Sequence, residues 1–220
     1  MRFLLLLALS GMVLAEPFQI VFLRPDPARK PLSKEDGERI QAAHMANIQS
    51  LVKRGLLVAA GPFDDKVHTI SGIFFFKMAT GEEALREAAK DPTVVEHRNT
   101  VDVLTWQGPA GLGEEYKRLH AQDPKTPEDM GVHPFVLLHR EKPGTMGLEH
   151  AAYIAELKRS GKLAAAGAVS GDKTVTEVLI FERISDEEAA KLVAADPAVR
   201  GGIMRPEPHR WWSAAHVLPQ

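Results

Sequence analysis

The sequence predicts an α+β fold made of one βαββαβ unit used twice and joined by a polar connection. Three observations carry this expectation: a long internal repeat, the same order of strand and helix signals in both halves, and a composition able to bury a core. The 220 residues are 45% hydrophobic and 25% charged, the balance of a globular chain and not of a disordered tail.

The repeat is read directly. His44–Gly61 (HMANIQSLVKRGLLVAAG) aligns without a gap on His150–Gly167 (HAAYIAELKRSGKLAAAG), and nine of these eighteen positions are identical. One deleted residue later, Thr80–Ala84 aligns on Ser185–Ala189, Asp91-Pro92 on Asp196-Pro197, and Trp106 on Trp211. The period is a domain length, which marks a tandem duplication and not a solenoid.

In the first half, the apolar run Phe18–Arg24 suits a buried strand. Pro25, Pro27 and Pro31 break the chain, and Ser33 caps a helix expected to run to about Arg54, with Asp36 near the positive end of its dipole. Gly55 stops it. Leu56–Ala60 and Ile70–Lys77 read as strands, with Asp64-Asp65-Lys66 between them. Thr80-x-x-Glu83 is a capping box, and Pro92 ends the helix it opens near Asp91. Thr100–Trp106 is the last strand.

The second half repeats the order. Strands are expected at Phe135–His139, Leu163–Ala166 and Val175–Glu182, and a helix from about Gly147 to Ser160. A second capped helix opens at Ser185-x-x-Glu188 and closes at Pro197, and the final strand leads into Arg210-Trp211-Trp212. This is the ferredoxin-like order. Such a sheet has helices on one face only, so two of them pack face to face, here within one chain. Residues 16–107 and 133–220 are the two repeats. Residues 108–132 form a Gly-, Pro- and charge-rich linker in which Glu114–His120 reads as a helical turn.

The N-terminus reads as a signal peptide over residues 1–15: Arg2, the apolar run Phe3–Leu14, and small residues before Glu16. A dozen apolar residues reach only ~18 Å as helix, short of a ~30 Å hydrocarbon core. The expected location is periplasmic or secreted, with no membrane association once the segment is cleaved. There is no cysteine, which excludes disulfides, thiolate chemistry and Cys metal sites. Net charge is −2 and no basic run is interleaved with aromatics, so no nucleic-acid partner is expected.

Among the nine histidines no His-x-x-x-His or His-Glu-x-x-His spacing occurs, and no metal site is read. His209 and His216 read as surface or interface residues, and Trp106, Trp211 and Trp212 as packing at the barrel end. Gly108–Gly113 lacks the Lys-Ser/Thr ending of a phosphate loop, and no Gly-x-Ser-x-Gly elbow occurs. Ile40, His44, Ile48 and Leu51 share one helical face, as do His150, Ile154 and Leu157, which directs both histidines towards the sheet. An interior imidazole oriented by a carboxylate is a standard general base or acid.

A helix beginning near a His, then Gly-x-Leu-x-x-x-Gly-Pro, then a capped helix ending in Asp-Pro, resembles the YCII-related domain of the dimeric α+β barrel superfamily. The resemblance covers roughly 17–107 and 133–212. It implies an intramolecular barrel and a His–Asp dyad in a cleft between helix and sheet, here His44 with Asp91 and His150 with Asp196. Gly61, Pro62, Gly167 and Gly202 fall on the family's cleft positions. The second copy has Ala168 in place of the Pro, and the first has His97 in place of Gly202, a change that could fill a pocket or add a proton-carrying group. The implied activity is cofactor-free acid/base chemistry, isomerase- or lyase-like, on a small organic molecule. The alternative is a non-catalytic ligand-binding or scaffold protein. Pseudo-dimerisation within the chain leaves further oligomerisation open.

Overall fold

The computed structural model describes residues 15–64, 69–143 and 147–219. The first unit comprises β1 (Ala15–Pro25), α1 (Lys34–Lys53), β2 (Leu57–Pro62), β3 (Gly72–Phe76), α2 (Gly81–Ala88), α3 (Pro92–Val95) and β4 (Asn99–Pro109). After α4 (Glu114–Gln122) the second unit follows: β5 (Gly131–Arg140), α5 (Gly147–Arg159), β6 (Leu163–Ser170), β7 (Val175–Phe181), α6 (Asp186–Ala195), α7 (Pro197–Arg200) and β8 (Met204–Ser213). The signal-peptide reading falls outside the described residues except at Ala15, which opens β1 opposite Pro109.

The expected caps form. Ser33 accepts from the Asp36 N–H at the start of α1, and Thr80 and Glu83 make the reciprocal capping box of α2. Asp91 does more than end a helix: its side chain caps the short α3, with Pro92 at the first helical position. Asp196 does the same for α7.

Each unit is a four-stranded antiparallel sheet, ordered β2-β3-β1-β4 in the first half and β6-β7-β5-β8 in the second. Two seams join them. Trp106 and Val169 pair across β4 and β6, and Phe63 bridges to Trp211 across the ends of β2 and β8. The eight strands therefore close into an intramolecular dimeric α+β barrel, with helices outside. The interior is apolar and aromatic. Phe75 sits between two indoles, 5.6 Å from Trp106 and 5.4 Å from Trp211, so these two tryptophans are buried core residues, whereas Trp212 is half-buried. Separate apolar clusters lie under the helices of each half.

The seams demand glycine. A Cβ on Gly61 would lie 1.7 Å from the Trp212 carbonyl oxygen, and one on Gly167 would lie 1.8 Å from that of Gln107. Those positions are set by the crossing strand of the other half.

Three expectations need revision. The connection 108–132 is more ordered than its composition implies: β4 runs to Pro109, α4 is a full helix, and β5 begins at Gly131. Gly113 N–H donates to Val217 O at 2.7 Å and Ala215 N–H to Glu128 O at 2.8 Å, so backbone pairing to the C-terminal tail offsets the low local propensity. His209 is buried, 3% exposed, because β8 turns it inward against Phe63; His216 is exposed. His97 fills no pocket: its ring is 82% exposed.

Candidate functional site

The first half brings together His44 and Asp91, the pair that the family resemblance implies. His44 rides on the sheet-facing side of α1 and stacks over Phe74 of β3, with ring centroids 5.9 Å apart. Asp91, fully buried, receives the His44 Nδ1–H at 2.8 Å. The same carboxylate accepts from Asn47 Nδ2 at 2.9 Å, the Thr93 N–H at 2.9 Å and Thr93 Oγ1 at 2.6 Å. Burial pushes the Asp91 carboxyl up, but these hydrogen bonds outweigh it and hold the group below its ordinary value. The carboxylate therefore fixes the tautomer of the neutral ring, with Nδ1 as the donor, and Nε2 has no protein partner among the described residues.

That ring borders a pocket of about 510 Å³ between α1 and β2–β3. Its walls are mostly apolar, with Met45, Ile48 and Val52 from α1 facing Val58 and Pro62 from β2. Tyr116, Glu128 and Met130 of the connection and Val217 of the tail close one end. Thr93, Ser71 and Asn99 supply polar groups. The volume is that of a site for a small organic molecule.

The second half repeats the dyad without the opening. His150 Nδ1–H donates to Asp196 at 2.8 Å, and Ala198 N–H donates to the same carboxylate at 2.8 Å. His150 Nε2, however, meets Glu177 Oε2 at 2.9 Å, and the whole triad is buried. Hydrogen bonds to Asp196 and Glu177, against the cost of burial, push the imidazole up to about 9. At neutral pH it is an imidazolium with both N–H groups engaged, which leaves it no lone pair.

Strand register shows where the halves diverge. Pro62 pairs with Gly72 in β2–β3, and Ala168 pairs with Glu177 at the matching place in β6–β7. A glycine in one half thus stands where the other half projects a carboxylate onto its histidine. Gly61 and Pro62 border the pocket, whereas Gly167 and Gly202 do not. Gly202 (φ 65°) and its counterpart His97 (φ 52°) both take the left-handed position that ends a short helix.

Sequence reasoning missed Asn47, Thr93, Gly72 and Glu177. Asn47 was findable, three residues after His44 on the same helical surface, and Thr93 sits two residues after a capping Asp. Glu177 is the one carboxylate in the run Val175–Phe181, and an ionised group there needs a partner. Among the described residues no cluster of three or more His, Asp or Glu is arranged to hold a metal ion, and no helix is long and apolar enough to cross a membrane.

Fold and site together define a single-chain dimeric α+β barrel with one carboxylate–imidazole pair open to a pocket and one closed. No family model and no curated protein matches the chain. Among solved structures it is similar to a candidate monooxygenase from Lactobacillus acidophilus NCFM, at 10% identity and a TM-score of 0.49, over 90% of this chain and 93% of the other.

Proposed function

We propose that the N-terminal half carries the functional site, and that His44 acts there as a general base and acid on a small organic molecule without a cofactor. The observation that supports this most is the split between its two nitrogens: Nδ1 is locked to Asp91, Nε2 has no protein partner among the described residues, and the ring borders the 510 Å³ pocket. A proton taken by Nε2 makes an imidazolium that the buried Asp91 carboxylate stabilises, and the same nitrogen returns the proton. Isomerisation, elimination and decarboxylation all fit such a shuttle. The finer reading is that of an exported, YCII-related protein, acting in the periplasm or outside the cell, whose C-terminal half keeps the fold and contributes half the barrel.

A thermal-shift screen of small carboxylic acids and lactones tests it, using wild type and His44→Ala. A ligand at one hundred times its Kd stabilises a one-site protein by about 2.7 kcal/mol, an easily read shift. The expected result is a hit that His44→Ala loses, with turnover of that hit by wild type. A hit retained in His44→Ala removes the residue from the site, and a hit lost in the variant but never turned over supports ligand binding alone.

A further inference from the structure

We propose that Asn99 holds the carbonyl oxygen of the molecule whose proton His44 moves, so that the pocket takes carbonyl compounds with an apolar body. This rests on His44 as the proton-transfer group. Asn99 opens β4 and Ser71 precedes β3, and both border the pocket that His44 borders. Ser71 Oγ–H donates to Asn99 Oδ1 at 2.9 Å. That bond fixes the amide, and the two Asn99 Nδ2 hydrogens have no protein partner among the described residues. A half-buried amide N–H pair, oriented by a second side chain and left unspent, is a donor prepared for an acceptor on a ligand.

The sealed half lacks this arrangement. By strand register Met204 stands at the position of Asn99 and Thr176 at that of Ser71, and Thr176 Oγ1–H donates to Leu138 O instead. Of the two halves, the amide donor therefore occurs only in the one whose histidine borders the pocket. Nothing in packing requires a Ser–Asn pair there, since the other half fills the place with a hydroxyl and a thioether.

The chemistry that joins a lone pair to a neutral N–H donor is proton abstraction next to a carbonyl. His44 Nε2 takes the α-proton, the C–H electrons form the C=C bond, and the carbonyl π electrons move to oxygen. Asn99 Nδ2–H hydrogen-bonds the resulting enolate oxygen. Reprotonation by His44 at the same or another carbon restores the enzyme, with no oxidant or co-reactant. Beyond the reacting carbons, Met45, Ile48, Val52 and Met130 offer an apolar channel suited to an alkyl or aryl body.

The test is α-hydrogen exchange of 2-butanone and 2-octanone in D2O, followed by proton NMR, with wild type, His44→Ala, Asn99→Ala and Asn99→Asp. Wild type is expected to exchange 2-octanone with kcat/KM about tenfold or more above 2-butanone, because the longer chain buries extra methylenes. Removing one oxyanion donor costs on the order of 10²-fold in kcat, and Asn99→Ala is expected to lose that much while His44→Ala falls to the buffer rate. Asn99→Asp keeps the shape, replaces the donor with a negative charge, and is expected to be at least as slow. If both Asn99 variants, folded by circular dichroism, exchange within twofold of wild type while His44→Ala is dead, the inference fails and the His44 reading stands. Exchange that survives His44→Ala overturns both, and no exchange of either ketone by wild type overturns this inference alone.

Discussion

Glu177 occupies in the C-terminal half the place that Gly72 occupies in the N-terminal half, and the difference decides which histidine faces a pocket. The carboxylate reaches His150 Nε2 at 2.9 Å, whereas His44 Nε2 has no protein partner among the described residues and its ring borders the pocket. Duplication made the two dyads alike; one strand position made them unequal.

Gly72→Glu is therefore expected to close the open site. A Cβ at Gly72 would meet the Gly61 oxygen at 3.1 Å, a tight fit that a small strand adjustment relieves. The variant should fold and lose any thermal shift caused by pocket ligands. Ligand shifts equal to wild type in a folded Gly72→Glu would contradict this.

The sealed triad sets an alkaline limit on stability. The folded pKa of His150 is about 9, above the ordinary 6.5, so its contribution is complete below pH 6.5 and is lost as pH rises towards 9. The whole span corresponds to about 3 kcal/mol. Burial pushes the neighbouring Lys158 down, a trend of opposite sign, so a variant comparison is needed to isolate the histidine. In urea unfolding, Glu177→Gln should be about 1–3 kcal/mol less stable at pH 7 and show a shallower alkaline decline. Parallel wild-type and variant profiles would remove His150 as the cause.

Asp91 accepts hydrogen bonds from His44, Asn47 and Thr93 with no exposure to water. Asp91→Ala leaves those donors unsatisfied, and a loss of about 2–4 kcal/mol is expected from denaturant unfolding. Asn47→Ala removes only one donor and should cost about 1 kcal/mol. Equal costs for both would mean that the carboxylate does not organise the cluster.

Much of this was legible in the sequence, for reasons tied to particular residues. Gly55, Thr80 with Glu83, and Asp91-Pro92 are local signals whose physics acts within a few residues, so the elements follow from them. The family resemblance placed both dyads, and the spacing from His44 to Asp91 recurs to within one residue from His150 to Asp196. The barrel itself was expected, but its two seams were not legible, because Phe63 meets Trp211 and Trp106 meets Val169 only through long-range pairing. Glu177 was hidden for a similar reason: alternation in a strand tells which face a side chain takes, but not that a histidine from α5 waits there. The buried His209 misled because a polar residue in a short tail segment reads as surface until the strand opposite it is known.

The seam glycines separate steric need from conformational freedom. Gly61→Ala drives a methyl into the Trp212 carbonyl, and a loss of more than about 3 kcal/mol or failure to fold is expected. Gly37 lies in the first turns of α1, where an added methyl would meet nothing within 4 Å. Gly37→Ala should instead gain about 0.5–1 kcal/mol. Urea midpoints of the two variants check both signs.

The most direct measurement is diethyl pyrocarbonate labelling at pH 7 followed by peptide mass mapping, since the reagent acylates only an uncharged imidazole nitrogen that it can reach. His97, with its ring 82% exposed, serves as the fast reference. The expected result is modification of His44, slowed by a pocket ligand or by Gly72→Glu, with His150 unmodified in folded protein. Labelling of His150 at a rate equal to or above that of His44 would contradict the assignment of one open and one sealed site.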